Sequence, residues 1–222
     1  MSRRMQLHVQ DRGPSFTLWR MARLIVYYAH PGHKHSHVNE AMARAATAIE
    51  NITLVDLYRD YPRFDIDVNV EQKRLLDHDV ILFQFPFFWY STPSIIKEWQ
   101  DLVLEHGFAY GAGGDQLKGK RMMLAVSAAG PSEAYTHDGY QHYPIRTFLT
   151  PLEQTARLCE MRFSAPYVLF ASLRAPVAGT LQPHVDGYRA LLESIRDDRF
   201  DFNAAELMDV ISYDNLPLKR EG

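Results

Sequence analysis

Three short stretches of this 222-residue chain carry residue types and spacings suited to chemistry. The first, HPGHKHSHVN at 30–39, sets four histidines, a serine and an asparagine around one glycine. If a helix begins near Ser36 to Asn39, its free N–H groups and the positive end of its dipole make a ready phosphate site. Ser36 and Asn39 would add side-chain hydrogen bonds and His30 a further donor. The plain alternative is a capped helix in which Ser36 serves its own backbone, and this loop alone does not choose between the two. His30, His33, His35 and His37 also raise a metal site. Alternating histidines cannot easily turn all their rings inward, no acidic or Cys partner follows at ligand spacing, and phosphate capture explains the same polarity, so no metal is expected.

The second stretch, FPFFWYSTPSIIKEWQD at 85–101, places Phe85, Phe87, Phe88, Trp89 and Tyr90 where turn residues belong. Either they form an aromatic cluster under a loop, or they wall a site for a flat ligand. The third, SAAGPSEAY at 127–135, opens with Ser127, Ala128, Ala129 and Gly130, small enough for backbone amides to approach such a ligand closely. A tight turn needs small residues too. Ser127 lacks the flanking glycines of a nucleophile elbow, which argues against a serine hydrolase. GDQLKGK at 114–120 has phosphate-loop spacing, but Arg121 replaces the required Ser or Thr and the segment leads into a strand, so the mechanism is lost.

The elements that must position these stretches alternate in type. Strands are expected at 24–29, 52–58, 79–85, 121–128 and 166–172, and helices near 38–50, 93–106, 143–159 and 183–196. Pro93 suits a first helical position with Ser91 or Thr92 as cap, and Ile95, Ile96, Trp99, Leu102 and Val103 share one face. This alternation predicts an α/β doubly wound parallel sheet, which binds ligands outside the carboxyl ends of its strands. All three stretches follow such ends.

Composition narrows the partners. A chain with 46% hydrophobic residues can bury one substantial core, and 24 Lys plus Arg against 27 Asp plus Glu, without like-charge blocks, gives no nucleic-acid footprint. No run is long and apolar enough for a transmembrane helix. The single Cys159 excludes an internal disulfide, reads as a buried small hydrophobe, and fits a reducing cytoplasmic compartment. Residues 1–22 lack a secretory core and are expected to be a loosely ordered extension, with Met21 as an alternative start. A domain is expected over 23–200 and a tail over 201–222.

Taken together, His30, SHVN at 36–39, the aromatic loop, HGFAYG at 106–111, LKGKR at 117–121, SAAGPSEAY and YPIRTFLTPLEQTARLC at 143–159 resemble the flavodoxin-like NAD(P)H:quinone oxidoreductases. The likeness is greatest to the ancillary flavoproteins of glutathione-regulated potassium-efflux systems, and runs from about 23 to 196. It implies a five-stranded flavodoxin-like sheet with helices on both faces. It also implies a bound FMN, or less consistently FAD, with NAD(P)H as co-substrate and a quinone as acceptor. His30, Ser36, His37, Val38 and Asn39 would take the flavin phosphate and ribityl chain. Phe87, Phe88, Trp89 and Tyr90 would cradle the ring, and Ser127, Ala128, Ala129 and Gly130 would close on its polar edge. Relatives show Thr-Thr-Gly-Gly there, so some side-chain contacts to the flavin are absent in this chain. The resemblance implies a catalytic Tyr at Tyr135 and a catalytic His; direct register gives Gln141, a one-residue shift gives His142, and His137 is near. It further implies a homodimer, a possible membrane antiporter as partner, and a cytoplasmic place on the inner face of the membrane. A regulatory flavin-binding subunit without significant turnover, or a reductase of azo or nitro compounds, would use the same residues.

Overall fold

The computed structural model describes residues 22–32 and 36–220. Most of the expected N-terminal extension lies outside them, as do His33, His35 and the last two residues of the expected tail.

Four runs rich in Val, Ile, Leu and Phe form the central strands β1 (Leu24–Tyr28), β2 (Ile52–Asp56), β3 (Val80–Pro86) and β4 (Arg121–Ser127), in the order β2-β1-β3-β4 and all parallel. The last position is filled by two pieces, β5 (Arg162–Phe163) and β6 (Tyr167–Leu169), each paired with β4. The sequence predicts one strand at 166–172 here. The ladder instead starts at Arg162, is interrupted before Tyr167 where Pro166 has no N–H to give, and ends before Ala171, whose φ is +51°.

Helices cover both faces, which is why β1, β3 and β4 are nearly continuous apolar runs instead of alternating ones. On one face α1 (His37–Thr47) and α8 (Leu181–Arg196) lay Val38, Met42, Tyr188, Leu191 and Ile195 over Leu24, Val26, Leu82 and Met123. On the other, α4 (Ser94–Val103) buries Ile95, Ile96, Trp99 and Val103, while Leu102 is left exposed. The Trp99 ring lies 4.9 Å from Tyr27 and 5.2 Å from Phe83, and each such ring contributes about 1.5–3 kcal/mol by burial. Pro93 sits one position before α4, and neither Ser91 nor Thr92 caps it.

Four helices escape the sequence pattern, two of them between β2 and β3. Asp56 ends β2 and accepts the Arg59 N–H at 3.2 Å, starting α2 (Leu57–Asp60) where a strand is predicted to Tyr58. Asp67 likewise caps α3 (Val68–Asp77), accepting from Val70 N–H at 3.1 Å. The helix predicted over 143–159 is two, α5 (Ile145–Phe148) and α6 (Thr150–Leu158), with Pro151 in the first turn of the second. Cys159 is buried, and burial raises its thiol pKa.

Beyond α7 (Ala175–Ala178) and α8, residues 201–220 carry α9 (Phe202–Glu206) and pack back on the sheet edge. Val168 N–H donates to Ile211 C=O at 2.9 Å and Ile211 N–H to Pro166 C=O at 2.8 Å. Arg121 stacks over the Phe202 ring and pairs with Glu206. No helix among the described residues is long and apolar enough to cross a membrane.

Candidate functional site at the carboxyl ends of the strands

The chain leaves β1 toward one sheet edge and β3 toward the other, so a crevice opens between their carboxyl ends. A buried polar chain runs from the core to its wall, where Asn39 and Ser127 emerge. Tyr188 Oη donates to Gln84 Oε1 at 3.1 Å, Gln84 Nε2 donates to the Asn39 carbonyl at 2.7 Å, and Asn39 Nδ2 donates to Ser127 Oγ at 2.7 Å. Asn39 is 3% exposed, and its Oδ1 has no partner. Turning the amide over would leave its nitrogen unpartnered instead, so one buried polar atom of Asn39 stays unmatched either way. Such an atom costs about 1–3 kcal/mol unless something completes it.

The start of α1 offers more of the same chemistry. Ser36 is buried, its carbonyl accepts the Glu40 N–H, and its hydroxyl does not cap the helix but lies 3.4 Å from the Tyr28 hydroxyl. That removes the reading in which Ser36 serves its own backbone. First-turn N–H groups have no intrahelical acceptor, and the dipole favours an anion. His30 is buried, accepts the Gly32 N–H on Nδ1 at 3.1 Å and meets the Phe88 ring edge-on at 5.8 Å.

Two cavities adjoin along this crevice. The inner one, about 250 Å³, is lined by His30, Ser36, His37, Val38 and Asn39 from the first loop and helix, and by Phe87, Phe88, Ser127 and Ala129 opposite. The outer one, about 330 Å³, takes Trp89 and Tyr90 from the aromatic loop, Gly130 from the small-residue loop, and Tyr135. Phe87 and Ala129 belong to both walls. The structure thus brings twelve of the thirteen residues expected to bind cofactor to one continuous groove. Ala128 is the exception: it is fully buried in the core, its N–H donating to Leu169 C=O and its carbonyl accepting from Ser172 N–H.

The aromatic loop is divided in its loyalties. Phe85 is core, Phe87 is buried in the core but shows an edge to both cavities, and Trp89 is 92% exposed. Trp89 and Tyr90 both have positive φ, +48° and +65°, a conformation costly for bulky residues and found where local structure is held for a purpose. Phe148 braces Tyr90 by stacking at 5.2 Å and meets Phe87 at 5.8 Å.

Gly130 lets two tyrosines approach closely: a Cβ there would come 2.9 Å from the hydroxyl of the exposed Tyr140 and 3.1 Å from the Tyr135 ring, so a side chain would displace both. Tyr135 is buried, and its phenol pKa is raised by that burial, with Tyr140 and Tyr90 adding and a Gly130 backbone hydrogen bond opposing. It therefore keeps its proton at neutral pH. Of the residues considered for the second catalytic position, Gln141 lines the outer cavity and His142 does not. His142 is an exposed turn residue with φ +61°, its N–H held by the Gly139 carbonyl at 2.8 Å. Tyr140 and Arg174 also line this cavity and were not singled out by sequence. Nothing near Arg174 in the sequence marks it, because it arrives from the loop after β6. Among the described residues no three His, Cys, Asp or Glu side chains are grouped to hold a metal ion, and the metal reading of His33 and His35 lies outside them.

A parallel doubly wound sheet with a divided groove at its β1/β3 switch point defines a flavodoxin-type α/β protein. The chain belongs to the family described as flavodoxin-like fold, whose model matches residues 22–192. It is 42% identical over 153 residues to the glutathione-regulated potassium-efflux system ancillary protein KefG of Cronobacter sakazakii, covering 69% of this chain and 83% of that one. Among solved structures it is similar to general stress protein 14 of Treponema denticola in complex with FMN, at 33% identity and TM-score 0.72, over 78% of this chain and 99% of that one. It is also similar to an NADPH-quinone reductase from P. pentosaceus, at 26% identity and TM-score 0.68, over 75% and 95% of the two chains.

Proposed function

We propose that the protein is an FMN-dependent NAD(P)H:quinone oxidoreductase. The observation that carries this reading is the two-part groove whose inner end holds an unmatched, buried Asn39 amide atom and whose outer end is walled by aromatic side chains. The residues present fit the cofactor. His30, Ser36, His37, Val38 and Asn39 would hold its phosphate and ribityl chain, with first-turn N–H groups of α1 as further donors. Phe87, Phe88, Trp89 and Tyr90 would wall the ring, and Ser127, Ala129 and Gly130 would face its polar edge. Ala128 acts through its backbone, tying that loop to β6. When bound, FMN supplies hydride acceptance from NAD(P)H and two-electron reduction of a quinone.

The chain's own task is to bind, orient and protonate. The aromatic walls keep flat molecules parallel and exclude water from one side. Tyr135 holds a proton at its hydroxyl, where it donates to negative charge developing on a bound ring. Gln141 takes the second position that direct register gives, ahead of His142. FMN is favoured over FAD because the Treponema denticola relative was solved with FMN. The working unit spans 23–200, with 201–220 bracing its β6 edge. Exposed Leu173 and Val177 beside the groove suit the partner chain of a homodimer.

The likeness to a potassium-efflux ancillary protein favours a second reading, a cytoplasmic subunit held at the inner face of the membrane by an antiporter. The two readings are compatible, and one experiment separates them. Protein reconstituted with FMN is tested for NADH and NADPH oxidation with quinone, azo and nitro acceptors. Turnover with quinones supports the enzyme. A yellow protein without turnover leaves the regulatory reading, and a colourless one that takes up no flavin removes both.

A further inference from the structure

The outer cavity is lined by polar side chains that can all donate a hydrogen bond, and one of them, a guanidinium, can do nothing else. Tyr90, Tyr135, Tyr140, Gln141 and Arg174 supply its polar lining. Among the described residues lining either cavity there is no Asp or Glu, and Arg174 is the one that carries a permanent charge. A quinone offers only acceptors, so hydroxyl and amide donors suffice for it. The guanidinium is in excess of what an uncharged ring needs.

The backbone that carries Arg174 is held in place, while its exposed side chain is not neutralised. Ala171 N–H donates to the Gly130 carbonyl at 2.8 Å and Ser172 N–H to the Ala128 carbonyl at 2.9 Å, so the segment is tied to the small-residue loop. Arg174 N–H then closes a turn on the Ala171 carbonyl at 2.9 Å. Arg121, Arg146 and Arg162 elsewhere pair with glutamates. Arg174 makes no ion pair with another described residue.

We propose that Arg174 is a specificity residue that recognises an anionic oxygen group on the molecule stacked in the outer cavity. This rests on the reductase reading and extends it to a substrate class. A guanidinium stays charged at any working pH, and its fork matches phosphate, carboxylate or sulfonate oxygens two at a time. Two sources supply that chemistry: a phosphate of the dinucleotide donor, or an acid group on the acceptor ring.

The test compares the full-length, FMN-loaded protein with its Arg174→Gln and Arg174→Lys variants. One arm measures kcat/KM for 1,4-naphthoquinone-2-sulfonate and for 2-methyl-1,4-naphthoquinone, the other the Kd of NADP+ and of NAD+ by calorimetry. Occupancy by the sulfonated quinone is read separately by quenching of tryptophan fluorescence, since Trp89 is on the wall, and this works with or without flavin. In the acceptor case the charged-to-neutral kcat/KM ratio drops about fivefold to tenfold in Arg174→Gln, while Arg174→Lys retains part of it. In the donor case the same loss falls on NADP+ relative to NAD+. Rising salt erodes the preference in wild type and not in Arg174→Gln. If charged and neutral probes respond alike in every arm, the inference is overturned. A protein that takes up no flavin defeats the reductase reading alone, because the quenching arm still decides the role of Arg174.

Discussion

Two buried polar clusters lie on opposite faces of the sheet, and they are built to opposite ends. Around Glu71, which is fully buried in α3, every oxygen is used: Tyr61 Oη donates at 2.6 Å, Arg74 Nη1 at 2.5 Å and Trp99 Nε1 at 3.0 Å. This cluster is closed by the chain itself and fastens α2, α3 and α4 together. Around Asn39 the same economy fails by one atom, and the unmatched atom belongs to a residue on a cavity wall. A polar cluster satisfied by its own chain serves the fold, whereas one left short beside a cavity points to a ligand.

Substitutions at the two clusters should therefore split stability from binding. The largest effect on the fold is expected from Glu71→Gln, which removes the charge and turns an N–H toward its donors. It should cost about 3 kcal/mol in urea unfolding while FMN affinity changes less than about twofold. Asn39→Leu should do the reverse. Its loss of stability is about 1 kcal/mol, because the native amide is already short of a partner, but FMN affinity by fluorescence titration should fall about tenfold or more. Equal stability losses at the two sites would break the comparison.

Smaller effects sharpen it. Tyr135→Phe should lower kcat with a quinone by about tenfold or more and leave FMN uptake intact, since it removes a proton donor and no wall. Because the folded-state pKa of Tyr135 is raised, the unfolded chain loses this proton first as pH climbs above the ordinary tyrosine value. Stability from this residue is thus complete below that value and declines above it, and the Phe variant lacks this part of the alkaline decline. Gln141→Ala should reduce kcat severalfold and His142→Ala by less than about twofold, which checks the register at the second catalytic position. Trp89→Ala should change stability by less than about 0.5 kcal/mol, given its exposure, and weaken ring binding a few-fold.

The same contrast explains what could be read from sequence. The strands and the three loops were legible because buried parallel strands are near-continuous apolar runs and the loops break that pattern with types that strands avoid. Helix α3 was not, because its buried positions include a glutamate: Glu71 reads as a surface residue until Tyr61, Trp99 and Arg74 are brought to it. The Asp67 cap was the signal that marks its start. The interruption at Pro166 was visible as a proline, but the pairing of Arg162 and Phe163 with β4 depends on tertiary contact. Within the site, Asn39 and Ser127 could be named but not their 2.7 Å hydrogen bond across 88 residues. Arg174 carried no motif, and its place on the wall follows from the ties between its loop and residues 128–130.

The central claim is tested most directly by gently denaturing the purified protein, or the protein after incubation with flavins, and identifying what is released per chain by chromatography. The account predicts about one FMN per chain for wild type and for Glu71→Gln, and a clear deficit for Asn39→Leu. A wild-type protein that retains no FMN, or an Asn39→Leu variant that retains as much as wild type, would contradict it.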